Sequence, residues 1–327
     1  MNITFLIGNG FDINIGLKTK YSDFYEYYKS LPKDDDSDVV KYFKENLKVN
    51  SENWSDLELA LGDYMKNIQT LEDYDSLTED IREKLGKYIE LEEEKCNFDN
   101  IKNIYTDFVF PEKYLSRVNE LIIENYKQDL RWLNTKCSIN IITFNYSRAL
   151  EKILKFDNES IKLHTHNYPH ASSYLETIKH IHGYTDKRMV LGVNDLSQIN
   201  NDILKNDINV LNAIIKPNCN DIIGDLIHQD CVQLLKQSDL ICLFGMSIGD
   251  TDEIWWEIIG DEIIKRSCKL IIFWKGEEIN PLHAHKIKRK EIEVTNHFLS
   301  KTNIKSEQDI TGKIFVGYNT NIFNTKK

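Results

Sequence analysis

Met1-Asn-Ile-Thr-Phe-Leu-Ile-Gly-Asn-Gly-Phe-Asp12 is the stretch that decides how this chain is read. Ile3, Phe5, Leu6 and Ile7 form a short apolar run, and it passes straight into a glycine turn. Gly8 and Gly10 allow a tight turn and a close approach to a ligand, because no Cβ stands in the way. A helix starting just beyond would aim free N–H groups at an anion. This is the layout of a nucleotide-binding first strand and loop. A complete dinucleotide fingerprint has a third glycine at the position occupied by Ile13. By itself, Gly-x-Gly after a strand is equally the mark of a tight turn.

Composition sets the outer bounds. A chain of 327 residues accommodates one large α/β domain or two smaller ones. A formal charge of −11 leaves no general basic face and argues against non-specific nucleic-acid binding. Lys286-Ile-Lys-Arg-Lys290 is a local basic patch. The six cysteines, Cys96, Cys137, Cys219, Cys231, Cys242 and Cys268, include no Cys-x-x-Cys pair, so a zinc site or disulfide framework is not expected. No apolar run approaches the roughly 20 residues of a membrane span. The N-terminus opens on the core strand and lacks the basic and small-residue segments of a signal peptide. The expectation is a cytoplasmic protein with no membrane partner.

Further along, Tyr21 to Tyr28 and Val39 to Leu47 read as helices, and Asn53-Trp-Ser-Asp-Leu-Glu-Leu-Ala-Leu61 opens another. Leu77, Ile81, Leu85, Tyr88, Ile89 and Leu91 follow three- and four-residue steps, as do Tyr114, Val118, Leu121, Ile122 and Tyr126. Such stripes mark amphipathic helices. Glu92-Glu93-Glu94 reads as a solvated helix end. From Ser138 the character changes to short apolar runs: 138–145, 178–183, 189–193, 239–245 and 269–274. Helices fit at 225–237, 253–266 and 281–294. Near-continuous apolar runs suit strands buried on both faces of a parallel sheet, and the alternation with helices suits a doubly wound fold. The expected organisation is an α/β nucleotide-binding core at 1–48 and 136–300, a helical insertion at 49–135 and a C-terminal extension at 301–327. A strand at Lys313 to Gly317 and a fraying tail are expected within the extension.

Ligands of open α/β sheets bind outside the carboxyl ends of the strands. Five strand ends carry polar or glycine residues: Gly8-Asn9-Gly10-Phe11-Asp12, Thr143-Phe-Asn145-Tyr-Ser147, His180-Ile-His182-Gly183, Gly192-Val-Asn194-Asp195 and Gly245-Met-Ser247-Ile-Gly-Asp250. Alternation places His180 and His182 on one side of their strand. Asn145 offers a donor and an acceptor together, or caps the helix after it. Ser247 and Asp250 suit a nucleotide's ribose or phosphates, or a helix start. A metal cluster of His164, His166 and His170 with His182 lacks an acidic partner at ligand spacing.

Phe5-Leu-Ile-Gly-Asn-Gly-Phe-Asp12, Tyr21-Ser-Asp-Phe24, Asn53-Trp-Ser-Asp-Leu-Glu58, Thr143-Phe-Asn-Tyr146, His180-Ile-His-Gly183 and Phe244-Gly-Met-Ser-Ile-Gly-Asp250 together resemble the bacteriophage abortive-infection family AbiH. The motif order is more distantly similar to the sirtuin NAD-binding fold. The resemblance implies a sirtuin-like, Rossmann-type, mostly parallel sheet and a role in antiphage defence. It also implies Asn145 and His182 as a catalytic pair, with Gly8, Gly10, Gly245 and Ser247 on an NAD site. Asn9, Phe11, Asp12, Gly183, Asn194 and Asp250 complete the expected cofactor-binding set. Ser147 stands where that superfamily often has Asp, and the zinc-ribbon cysteines are missing, which argues against protein deacetylation. The leading expectation is hydrolysis of NAD at the nicotinamide–ribose bond, with a phage-derived trigger and a homo-oligomer as partners. Two alternatives stay open: a non-catalytic nucleotide sensor that signals to a partner, and a metal-dependent nuclease using Asp12, Asp195, Asp250 and Asp252.

Overall fold

The computed structural model describes residues 1–32, 36–49, 57–101, 104–133, 136–167, 171–185, 189–193, 196–201, 204–216, 219, 226–305 and 310–324. In chain order the elements are β1 (Asn2–Ile7), α1 (Gly10–Ile15), α2 (Tyr21–Ser30), α3 (Asp38–Val49), α4 (Leu57–Tyr64), α5 (Leu71–Glu94), α6 (Ile104–Val109), α7 (Arg117–Leu133), β2 (Lys136–Thr143) and α8 (Ala149–Leu154). They continue with β3 (Ile161–Thr165), β4 (Ser172–His180), α9 (Ile208–Ile214), α10 (Ile227–Gln237), β5 (Leu240–Phe244), α11 (Glu253–Lys265), β6 (Lys269–Trp274), α12 (Ala284–Ser300) and β7 (Ile314–Tyr318).

The strands form one sheet in the order β3-β4-β2-β1-β5-β6-β7. Every neighbouring pair is parallel except β3 with β4. With the antiparallel edge strand set aside, the order is that of the doubly wound dinucleotide-binding sheet. Period-two alternation divides β1 between two cores. Ile3, Phe5 and Ile7 face α1, α6, α7 and α8, whereas Leu6 faces α10, α11 and α12. Trp255 and Trp256 are buried against the second face, as helix-to-sheet packing residues.

A third apolar cluster joins α2, α3, α4, α5 and α9 to Tyr146, Leu191 and Val193, which follow strand ends. The helices after β1 therefore roof the carboxyl edge of the sheet. Thr70 caps α5 by accepting from the Asp73 N–H at 3.1 Å. At its other end α5 runs into the strand-end loops. The expectation of a solvated end at Glu92 to Glu94 is wrong for Glu92 and Glu93, which are buried. Glu92 accepts from the Lys18 N–H at 3.3 Å, and Glu93 accepts from the Arg148 N–H and the Lys152 ammonium at 2.5 Å each. Carboxylates are disfavoured at a helix C-terminus, so these donors are what hold them there.

Two further expectations change. Met189 to Val193 is no strand; Val193 makes an isolated bridge to Ile215. Its apolar residues face the helical roof, and its Val190 N–H donates to the His182 carbonyl at 2.8 Å. The tail is also anchored as far as Phe323. β7 pairs with β6, and Phe323 is fully buried among Phe5, Phe11 and Phe108.

Candidate functional site

The glycine loop after β1 meets the loop after β5. The Gly8 N–H donates to the Phe244 carbonyl at 3.0 Å and the Gly10 N–H to the Gly245 carbonyl at 2.9 Å. A Cβ on Gly10 would stand 2.5 Å from the Gly245 Cα, and one on Gly8 would stand 2.7 Å from its oxygen. Gly245 itself has φ +70°, in the left-handed region. The glycines are thus required for backbone-to-backbone contact between the two loops. The Phe11 N–H donates to the Gly8 carbonyl at 3.0 Å, so the amides of Gly8, Gly10 and Phe11 are all engaged within the chain. The expected anion cradle would need those groups free.

The chemistry gathers instead on the β2 side of β1. Asp12 lies in α1 and is 2% exposed. Asn145, after β2, donates from Nδ2 to Asp12 Oδ1 at 3.0 Å, and the Ser147 hydroxyl donates to Asp12 Oδ2 at 2.6 Å. The carboxyl is pushed up from 3.8 to about 7. Burial is the main cause; the two hydrogen bonds oppose it, the charge of Glu93 adds to it, and that of His180 opposes it. A buried carboxyl poised near neutrality marks a functional-site candidate. Asn145 is 5% exposed, and its Oδ1 has no hydrogen-bond partner.

His180 ends β4. Its Nδ1 lies 3.0 Å from the Asn145 carbonyl, and its Nε2 lies 2.6 Å from Glu151 Oε1. Nδ1 must be the donor, since a carbonyl only accepts. His180 thereby fixes the backbone that presents Asn145. His182 does not share its surroundings, because β4 stops at His180 and the chain turns there. The His182 ring sits 5.4 Å from Phe144 and 6.3 Å from Tyr146, the rings on either side of Asn145. Its Nε2 is 3.6 Å from Asp252, which also pairs with Lys216 at 3.3 Å. Asp252 follows β5, so residues from the ends of β1, β2, β4 and β5 meet here.

Asp12 and Asn145 are bonded to each other, and His182 lies beside the rings that flank Asn145. Gly183 has φ +71° and forms the turn after β4. Asn9 donates from Nδ2 to the Thr19 carbonyl at 2.7 Å and accepts from its hydroxyl at 2.5 Å, closing the loop after α1. Phe11 is buried against Phe244 and Phe323. Ser247 and Asp250 are exposed; the Ser247 carbonyl lies 3.3 Å from His297 Nε2, and Asp250 pairs with Lys301. Asn194, Asp195 and His170, like Asn53 to Asp56, lie outside the described residues. No group of three His, Cys, Asp or Glu side chains among the described residues is arranged to hold a metal ion.

Ser147 and His180 stood among the strand-end residues but were given no site role by sequence, and Glu151, Glu93 and Lys216 were not singled out. Ser147 and Glu151 lie two and six residues past Asn145, so the stretch after that strand end held them in plain view. Glu93 and Lys216 reach the site only through the roof and the crossover to β5, and no local signal marks them.

The fold and the site define a doubly wound α/β protein whose strand-end centre is a buried carboxyl, carboxamide and imidazole cluster. The model of the family described as bacteriophage abortive infection AbiH matches residues 4–274. The chain belongs to that family, and its role is antiphage abortive infection. No curated protein compared with it matches. No helix among the described residues is long and apolar enough to cross a membrane.

Proposed function

We propose that the strand-end cluster binds NAD and hydrolyses its nicotinamide–ribose bond during infection, releasing nicotinamide and ADP-ribose. The observation that carries this is the placement of Asn145 and His182 just past the ends of neighbouring strands, with the His182 ring 5.4 and 6.3 Å from the rings that flank Asn145. The strand order of the dinucleotide-binding sheet supports the choice of ligand. His182 takes a proton from the attacking water or a ribose hydroxyl, and Asp252 stabilises the imidazolium that results. Asn145 Oδ1 accepts a hydrogen bond from the same water. A placed general base contributes about 10²–10⁴-fold.

Asp12, Asn145 and His182 are 2%, 5% and 5% exposed. Substrate therefore reaches them only when the covering loops and roof move apart, which suits an enzyme held inactive until infection. The purified chain incubated with NAD, with and without lysate of infected cells, tests this. Nicotinamide release that disappears in His182→Ala and in Asn145→Ala is expected. Full release by both variants rules the assignment out.

The burial of the site also favours a second reading, a nucleotide sensor without turnover. Ligand bound in calorimetry and recovered intact identifies that case.

A further inference from the structure

Asn145 is held in an unusual way. Its Nδ2 donates to a carboxyl, while its Oδ1 is buried with no partner. Buried acceptors are normally satisfied, and an exception calls for a reason. A carboxamide can turn over, exchanging its donor and acceptor ends. Turned over, Oδ1 would face the Asp12 carboxylate, oxygen against oxygen. The ionised carboxylate, which only accepts, excludes that orientation.

We propose that Asp12 is the positioning residue of this site: it holds the amino end of Asn145, so that Oδ1 is the end left to accept from an attacking water or a ribose hydroxyl. What Oδ1 receives rests on the NAD reading above; the holding of the amide does not. Ser147 occupies the second carboxyl oxygen, so Asp12 has no freedom to swing away. Glu93 from α5 and His180 from β4 act on its charge, and the Cys96 thiol just past α5 feels that charge in turn. Protonation turns one carboxyl oxygen into a donor, which can bond Asn145 Oδ1 directly and let the amide turn. The held orientation thus belongs to the ionised form.

Asp12→Asn keeps the size of the side chain and can still bond both neighbours. Its amide both donates and accepts, and the Ser147 hydroxyl can do either. Nothing then decides which way Asn145 lies.

The experiment follows the Asn145 side-chain amino resonances in the ¹⁵N-labelled full chain between pH 5 and 9. They are assigned by their loss in Asn145→Leu. In the wild type they shift together through one midpoint; in Asp12→Asn that midpoint is gone. In parallel, Asp12→Asn lowers kcat for nicotinamide release about 10- to 100-fold, with KM within about threefold, as expected for a misplaced group. Amino resonances that behave identically in both proteins overturn the proposal, and so does an unchanged kcat beside altered resonances. Coupled resonances in a wild type that releases no nicotinamide even with lysate of infected cells uphold the held amide and end the NAD reading instead.

Discussion

Asp12→Asn has a consequence for stability that can be worked out in advance. The Asp12 carboxyl titrates at about 7 in the fold against 3.8 when free. At about 1.4 kcal/mol per tenfold change, ionising it inside the fold costs roughly 4 kcal/mol. The folded pKa is raised, so the stabilising contribution is complete below 3.8 and is lost as pH rises through about 7. Between pH 5 and 8 the loss is about 2–3 kcal/mol, because the unfolded chain is already largely ionised at pH 5. The amide introduced by the substitution does not ionise and still bonds both neighbours. The stability of Asp12→Asn relative to the wild type should therefore improve by about 2–3 kcal/mol from pH 5 to pH 8. Urea unfolding of both proteins at several pH values measures this, and other titrating groups cancel in the difference. A difference that stays flat across the range refutes the claim that burial holds this carboxyl near neutrality.

Glu93 adds to the upward push on Asp12, so Glu93→Gln should move the midpoint of that same stability difference to lower pH; a rise, or no movement, contradicts the assignment. Gly245→Ala meets a left-handed backbone cost of about 1–2 kcal/mol. It also places a Cβ 2.7 Å from the Phe11 nitrogen, and overpacking of this kind costs about 1–3 kcal/mol. A loss of roughly 2–5 kcal/mol in urea unfolding is expected from the two together. Lys127 is buried and donates to both Glu112 oxygens and to the Val109 carbonyl, at 2.7–2.8 Å. Lys127→Met should cost about 3–5 kcal/mol, and adding Glu112→Leu should recover most of it. Phe323→Ala removes a fully buried ring from the face of β1; a loss of about 3–5 kcal/mol separates an anchored tail from a frayed one.

The central strands were legible because each is a near-continuous apolar run. β1, β2, β5 and β6 could be read directly, as could the helical stripes of α5 and α7. β4 was readable only at its end. Its Ser172-Ser-Tyr-Leu-Glu-Thr-Ile-Lys-His180 mixes polar and apolar residues because β3 pairs beside it as the sheet edge. Met189 to Val193 misled for the opposite reason: it is apolar because the helical roof covers it, and no strand ladder is involved. Asn145 and His182 stood out as polar groups at strand ends. The role of Asp12 did not, because its partners Asn145 and Ser147 lie 133 and 135 residues away. The glycine loop was readable as a place of close approach, and the Gly245 backbone is what the fold brings against it. Glu92 and Glu93 looked solvated because nothing local shows that α5 ends against Lys18, Arg148 and Lys152.

The most direct test lies inside the infected cell. NAD and nicotinamide are quantified over the course of phage infection, in bacteria expressing the wild type or His182→Ala at equal protein levels. A fall in NAD with matching nicotinamide, present with the wild type and absent with the variant, is the expected outcome. NAD that follows the same course in both cultures contradicts the central claim that this buried cluster is a nucleotide-cleaving site.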